Sequence, residues 1–384
     1  MNTAGKLQTI MVAAMMAMAA AAETQINISG VGADKKFLVE VDVSDTAFRR
    51  TLERNLVLSG AFRLVKGAPI KVAGAVGDVI TADGNGKRIT LNSVAKDDKA
   101  ARAEARSLSD RMVESYAGQK GFAQKRLAFV MKTGKGEELL VGYADGCDIR
   151  QVTHDNKASV GPRWKDANSL YYTGYLNNAP QIFEIDADTG RRSLRWGFGG
   201  LTTGAAVAPG KSTVALIISK PFRNPELCTI EPAAGTWRRL TMTKGANEGQ
   251  PAWSPDGSHI AYVSDETRRQ HIFTINPVTK DKRRLTSQGN NVDPDWGPDG
   301  RIVYTTRRAG QSQIAVMTSA DGDKSAQLVT DPGTWEHPTW AADGRHVVAE
   351  RDGALFLIDT LEGGDEPRQL FTLSGKCITP SFFR

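Results

Sequence analysis

Between residues 251 and 286 apolar and polar positions come in short bursts, without the three-to-four spacing of an amphipathic helix. Pro251-Ala252-Trp253 leads into Ser254-Pro255-Asp256-Gly257, a turn signal, because glycine tolerates positive φ and aspartate bonds its own backbone. Ile260-Ala261-Tyr262-Val263 and Ile272-Phe273-Thr274-Ile275 follow, rich in strand formers on both faces, as strands buried on two sides require. Arg283-Arg284-Leu285-Thr286 closes the unit with one apolar residue among polar ones, the pattern of an outermost edge. Four short antiparallel strands are predicted.

The unit recurs. Pro294-Asp295-Trp296-Gly297-Pro298-Asp299-Gly300 leads a second copy and Pro338-Thr339-Trp340-Ala341-Ala342-Asp343-Gly344 a third. Trp253 and Trp296 lie 43 residues apart, Trp296 and Trp340 lie 44 apart. That period with four strands per copy predicts a β-propeller. Weaker leaders stand at Pro162-Arg163-Trp164 and Ala208-Pro209-Gly210. Thr379-Pro380-Ser381-Phe382 is a leader with no strands after it, whereas Arg126-Leu127-Ala128-Phe129-Val130 opens three strands with no leader before them. Joining the two predicts a mainly β fold, a six-bladed ring over residues 121–384 closed by the C-terminal strand.

Ahead of the ring, residues 23–120 read as a small α+β domain. Strands are expected at Lys36-Phe37-Leu38-Val39-Glu40-Val41, around Phe62, at Ile70-Lys71-Val72 and at Arg88-Ile89-Thr90-Leu91. One helix capped by Ser44 or Asp45 would carry Phe48, Leu52 and Leu56 on a single face, and another would begin at Asp97-Asp98 and stop at Gly118. Residues 1–22 read as a cleaved export signal: Lys6, an apolar run, then Ala20-Ala21-Ala22. The run is shorter than the roughly 20 residues of a spanning helix, so no membrane span is expected. An extracytoplasmic location follows.

Charge changes the picture little. The formal net charge is +6, but the basic pairs, such as Arg191-Arg192 and Arg283-Arg284, fall on predicted edge strands, with no stacking aromatics between them. Charged edges that resist aggregation are the reading, and no nucleic-acid partner is expected. Cys147, Cys228 and Cys377 fall at opposite ends of blades or in different blades, so no disulfide is expected.

Catalytic motifs are absent: no G-x-S-x-G, P-loop, H-E-x-x-H or C-x-x-C occurs, and the five histidines are scattered. No enzyme, cofactor or resident metal is expected. Propellers bind partners at the mouth of the central channel, where loops enter the inner strands. Those loops place Asn247, Glu248, Gln250, Asn290, Asn291, Val292, Asp293, Trp335, Glu336 and His337 on one face. Amides, carboxylates and a tryptophan suit a protein ligand with a polar anchor, and Trp335, expected exposed in a turn, is the candidate hot spot. Glu248, Asp293 and Glu336 are also the only carboxylates there that could share a channel cation.

The W-S-P-D-G leaders at Trp253, Trp296 and Trp340 resemble the repeats of the TolB family of the Tol–Pal system. The similarity extends to Glu23-Thr24-Gln25-Ile26-Asn27-Ile28-Ser29-Gly30-Val31, which looks like the family's opening strand, and to the junction Gly118-Gln119-Lys120-Gly121-Phe122. It implies a non-enzymatic, monomeric periplasmic protein. It also implies two partners: a Pal-like peptidoglycan-associated lipoprotein at the mouth, touching the positions of Asn247, Gln250 and Val292, and a TolA-like inner-membrane protein. The second would use the N-terminal segment, with Glu23, Gln25, Ile26 and Ile28. This chain has Asn247 where the family often has histidine. The alternatives from other classes are a glycan- or peptidoglycan-binding propeller and a propeller serving a hydrolase, which would need a catalytic domain.

Overall fold

In the computed structural model, residues 36–176, 179–361 and 364–384 are described. The signal and opening-strand expectations lie outside them. Strand β1 (Phe37–Val43) turns Val39 and Val43 into a core, and helix α1 (Thr46–Leu58) covers it with Phe48, Leu52 and Leu56. Asp45 is the cap: its Oδ1 accepts from Phe48 N at 2.8 Å, which satisfies a backbone donor the helix itself cannot. Strands β2 (Phe62–Leu64) and β3 (Ile70–Gly74) flank β1 in parallel. β4 (Val79–Gly84) and β5 (Lys87–Asn92) continue antiparallel, in the order β2-β1-β3-β4-β5. Helix α2 (Asp98–Met112), capped by Asp97, passes through a π turn at Val113–Ala117 and stops at Gly118, whose φ of 66° is the left-handed value glycine adopts freely.

The remaining chain forms six four-stranded antiparallel sheets. Blade one joins Lys376–Phe382 to Arg126–Lys132, Glu137–Tyr143 and Arg150–Gln151, so the ring is closed by its C-terminal strand. Inner strands of blades two to six are Ser159–Trp164, Thr202–Val207, Glu248–Trp253, Asn290–Trp296 and Glu336–Trp340. Two of the leader tryptophans tie neighbouring blades together. Trp253 donates its indole N–H to Ala206 O at 2.9 Å, one blade back, and Trp164 donates to Ser381 O at 3.0 Å.

The helical layer and the ring belong to one compact unit. Their contact falls on blades one and six. Arg106, 2% exposed, pairs with Asp145 at 2.7 Å and Asp148 at 2.9 Å and lies 3.7 Å from the ring centre of Tyr143. Asn55 donates to the same Asp145 at 2.9 Å. A charge so buried survives only with partners on every side, as here. On blade six Arg345 holds Asp359 at 2.5 Å and Gln119 at 2.9 Å, while Phe122 packs between His346, tilted, and Phe382, edge-on. The basic edge residues are largely tied down: Arg192 to Asp155, Arg239 to Glu226 and Lys282 to Glu266. All three cysteines are free thiols.

Candidate functional site

Each inner strand breaks register once, and always at the same place. The pairing shifts between Thr203 and Ala206, Gly249 and Ala252, Val292 and Asp295, Glu336 and Thr339, and Ile378 and Ser381, with the matching irregularity in blade two. At the break sits one residue of positive φ: Gly161, Gly204, Gln250, Asp293, His337 or Thr379. Each stands three positions before the leader Trp or its equivalent, and five of the six precede proline. Proline has no N–H to lose, so it fits the innermost edge of a blade. These bulges turn the strands at the mouth and set six residues around it, two of them glycine.

Three of the four non-glycine members are held by side-chain bonds, whereas the buried Thr379 hydroxyl has no partner among the described residues. Asp293 N donates to Gln250 Oε1 at 2.9 Å while Gln250 Nε2 returns a bond to Asp293 Oδ1, a two-way bridge between blades four and five. Asp293 Oδ2 accepts from Thr305 at 3.3 Å. His337 Nδ1 lies 3.1 Å from Glu350. Burial would lower the imidazole's pKa, but the Glu350 hydrogen bond and the charges of Asp293, Glu350 and Glu336 outweigh it and hold it above its ordinary value. Outside this set, Asn247 is exposed and bonded through its N–H and amide to Asp265 at 2.7 and 2.9 Å. Glu336 meets Arg307 at 2.7 Å, and Asn290 is exposed.

Burial divides the residues expected at the mouth. Gln250, Glu336 and His337 keep part of their surface, whereas Glu248, Asn291, Val292 and Asp293 are each 7% exposed or less. Asn291 spends its amide on Gln288 O at 2.8 Å. The expectation for Trp335 is overturned: it is 1% exposed. Its ring packs edge-on to Phe356 at 5.3 Å beneath Arg351, within the core shared by blades five and six. A tryptophan beside a Gly-Thr turn is here a wedge between blades. The three carboxylates do not form a cation site; among the described residues no group of three or more His, Cys, Asp or Glu could hold a metal.

Glu248 is the electrostatic outlier. Among the described residues neither of its oxygens has a hydrogen-bond partner. Burial pushes its carboxyl up to about 7, and nearby Glu226 and Glu266 add to this, against the pull of the Ser264 and Thr243 hydroxyls. Sequence reasoning missed Thr379, Glu350 and the bulge itself. Aligning the six leaders would have found it, because glycine recurs three residues before Trp164 and Val207. Glu23, Gln25, Ile26 and Ile28 lie outside the described residues.

Six blades around a channel, latched by a C-terminal strand and bearing a preorganised polar mouth, define a β-propeller. A family model described as the TolB beta propeller domain matches residues 113–382, and the chain belongs to that family. The Tol-Pal system protein TolB of Bordetella pertussis is 26% identical over 88% of this chain and 96% of its own length. That of Chromobacterium violaceum is 28% identical over 48% of this chain and 53% of its own. In fold, the chain matches the crystal structure of TolB from Acinetobacter baumannii with a TM-score of 0.80 at 20% identity, over 92% of this chain and 98% of that one.

Proposed function

We propose that this chain is a non-enzymatic, periplasmic, monomeric component of a Tol–Pal-like envelope system, supporting outer-membrane integrity and constriction during division. Residues 1–22 are its export signal, 23–120 its α+β domain and 121–384 its propeller. The mouth receives a Pal-like lipoprotein, and residues 23–28 engage a TolA-like protein. Membership of the TolB propeller family supports this reading, and one observation carries the site. The Gln250–Asp293 bridge and the His337–Glu350 pair fix polar groups at the channel entry before any partner arrives, which lowers the ordering cost of binding. The test is calorimetry with a soluble Pal-like domain. Asp293→Ala should weaken binding at least tenfold, since it frees Gln250 and removes one of the three carboxylates around His337. Unchanged affinity in a variant with an unaltered melting curve would overturn the mouth as the site. Deleting residues 23–34 should abolish capture of a TolA-like domain; retained capture would remove that half of the proposal.

A further inference from the structure

The bulge lies within each inner strand, and the leader turn follows it by about four residues, roughly 13 Å further along the strand. There the ring encloses a second space, a cavity of about 780 Å³. It lies two positions past the bulge, where blades three and four carry only Ala206 and Ala252, and this pair hollows one side of the channel. Trp253, Trp296 and Phe383 and four prolines supply much of its apolar wall, beside charged and hydroxyl side chains.

The polar groups of the cavity are nearly all spent. The Asp295 carboxylate, the only acidic side chain in its lining, accepts from Trp340 N at 2.8 Å, Thr339 Oγ1 at 3.1 Å and Arg384 at 3.0 Å. The indole N–H of Trp164, Trp253 and Trp296 each donates to a backbone oxygen, at 3.0, 2.9 and 3.0 Å. Lys165 is paired with Glu184 at 2.8 Å. Two lining cations remain: Arg163, half-buried on the inner strand of blade two, and Lys211, exposed on the blade-three leader turn. Among the described residues neither side chain has an ion pair or hydrogen bond.

Sugar hydroxyls need many free donors and acceptors, and this cavity has few. An apolar body suits its walls, and one acid group suits its two free cations; a guanidinium meets a carboxylate through two parallel bonds. The volume lies in the range that takes small ligands. We propose that the leader-turn cavity binds an apolar carboxylate, with Arg163 and Lys211 on the acid group and the body against the indole edges. Two sources present this chemistry, the apolar C-terminus of a peptide and a short acyl chain.

Calorimetry on the full chain tests it with acetyl-Leu-Phe-Leu as free acid, the same peptide as C-terminal amide, and decanoate. At least one acid should bind, and which one names the source. If the peptide acid binds, its amide should bind at least tenfold more weakly. Arg163→Gln should lose tenfold or more and Lys211→Gln a few-fold, both with unaltered melting curves. Failure of both acids, equal binding of peptide acid and amide, or full binding by a folded Arg163→Gln would each overturn the proposal. Loss of Pal-like binding at the mouth would leave it standing.

Discussion

Blades two and three make the mouth bulge from glycine; blades four, five, six and one make the same bulge from Gln250, Asp293, His337 and Thr379. The backbone is alike, so the six-fold shape owes nothing to those four side chains. Holding a non-glycine residue at positive φ costs on the order of 1–2 kcal/mol. A cost accepted four times on one side and avoided on the other marks the polar side as the one whose side chains have a task. The glycine side is room: a Cβ at Gly161 would meet nothing, although at Gly204 it would lie 3.1 Å from Pro251 Cδ.

The largest blow to the polar side should come from beneath it. Trp335→Ala empties the wedge between blades five and six and should cost about 3–5 kcal/mol in urea unfolding. A cost below about 1 kcal/mol would mean that the ring closes over the gap, and the polar side would not depend on that packing.

Next in size is Glu248, which opens the polar side at blade four. Its folded pKa of about 7 exceeds the ordinary 4.5. The protonated form is therefore favoured by folding: its stability is intact below pH 4.5 and lost as pH rises through about 7, the unfolded chain releasing its proton first. The fall should be on the order of 2–3 kcal/mol. Glu226, paired with Arg239, and Glu266, paired with Lys282, are the charged groups that face it, and burial keeps the Tyr262 hydroxyl neutral. Glu248→Gln should flatten the curve and raise stability at pH 8. An unchanged pH profile would mean that Glu248 is ionised and solvated.

On the glycine side, Gly204→Ala should cost about 1–3 kcal/mol and Gly161→Ala about 1, because only the first adds a close contact to the backbone strain. Equal costs would show that strain alone acts. The smallest effect is expected for Gln250→Gly: relief of φ strain offsets the lost bridge to within about 1 kcal/mol by thermal unfolding, while affinity for a Pal-like domain falls. A stability loss well above that would make Gln250 a structural brace.

The ring was legible in the sequence because its leader is a turn with obligatory chemistry: Asp256-Gly257 and Asp299-Gly300 mark where each inner strand ends, and Trp marks the register. The helices were legible for the same reason, since Asp45 and Asp97 are caps with a visible function. Burial at the mouth was not. Trp335 follows Gly333-Thr334 and reads as a loop residue, yet Thr334 bridges to Ser312 and carries it into the core. Nothing in residue type marks Gln250, Asp293 or His337 as left-handed; only the glycines at the equivalent positions do.

The latch has a kinetic side. Lys132 pairs with Glu137 in a short hairpin, but its other neighbour is Lys376, distant along the chain. Every blade but the first can be assembled from consecutive strands. The first waits for a loop that encloses the other five, and closing so long a loop yields no contact until it is complete. Until Lys376–Phe382 arrives, Arg126–Lys132 presents an unpaired edge that any passing strand could take. The chain therefore carries its greatest risk of mispairing at its first blade, and sheds it with the last strand.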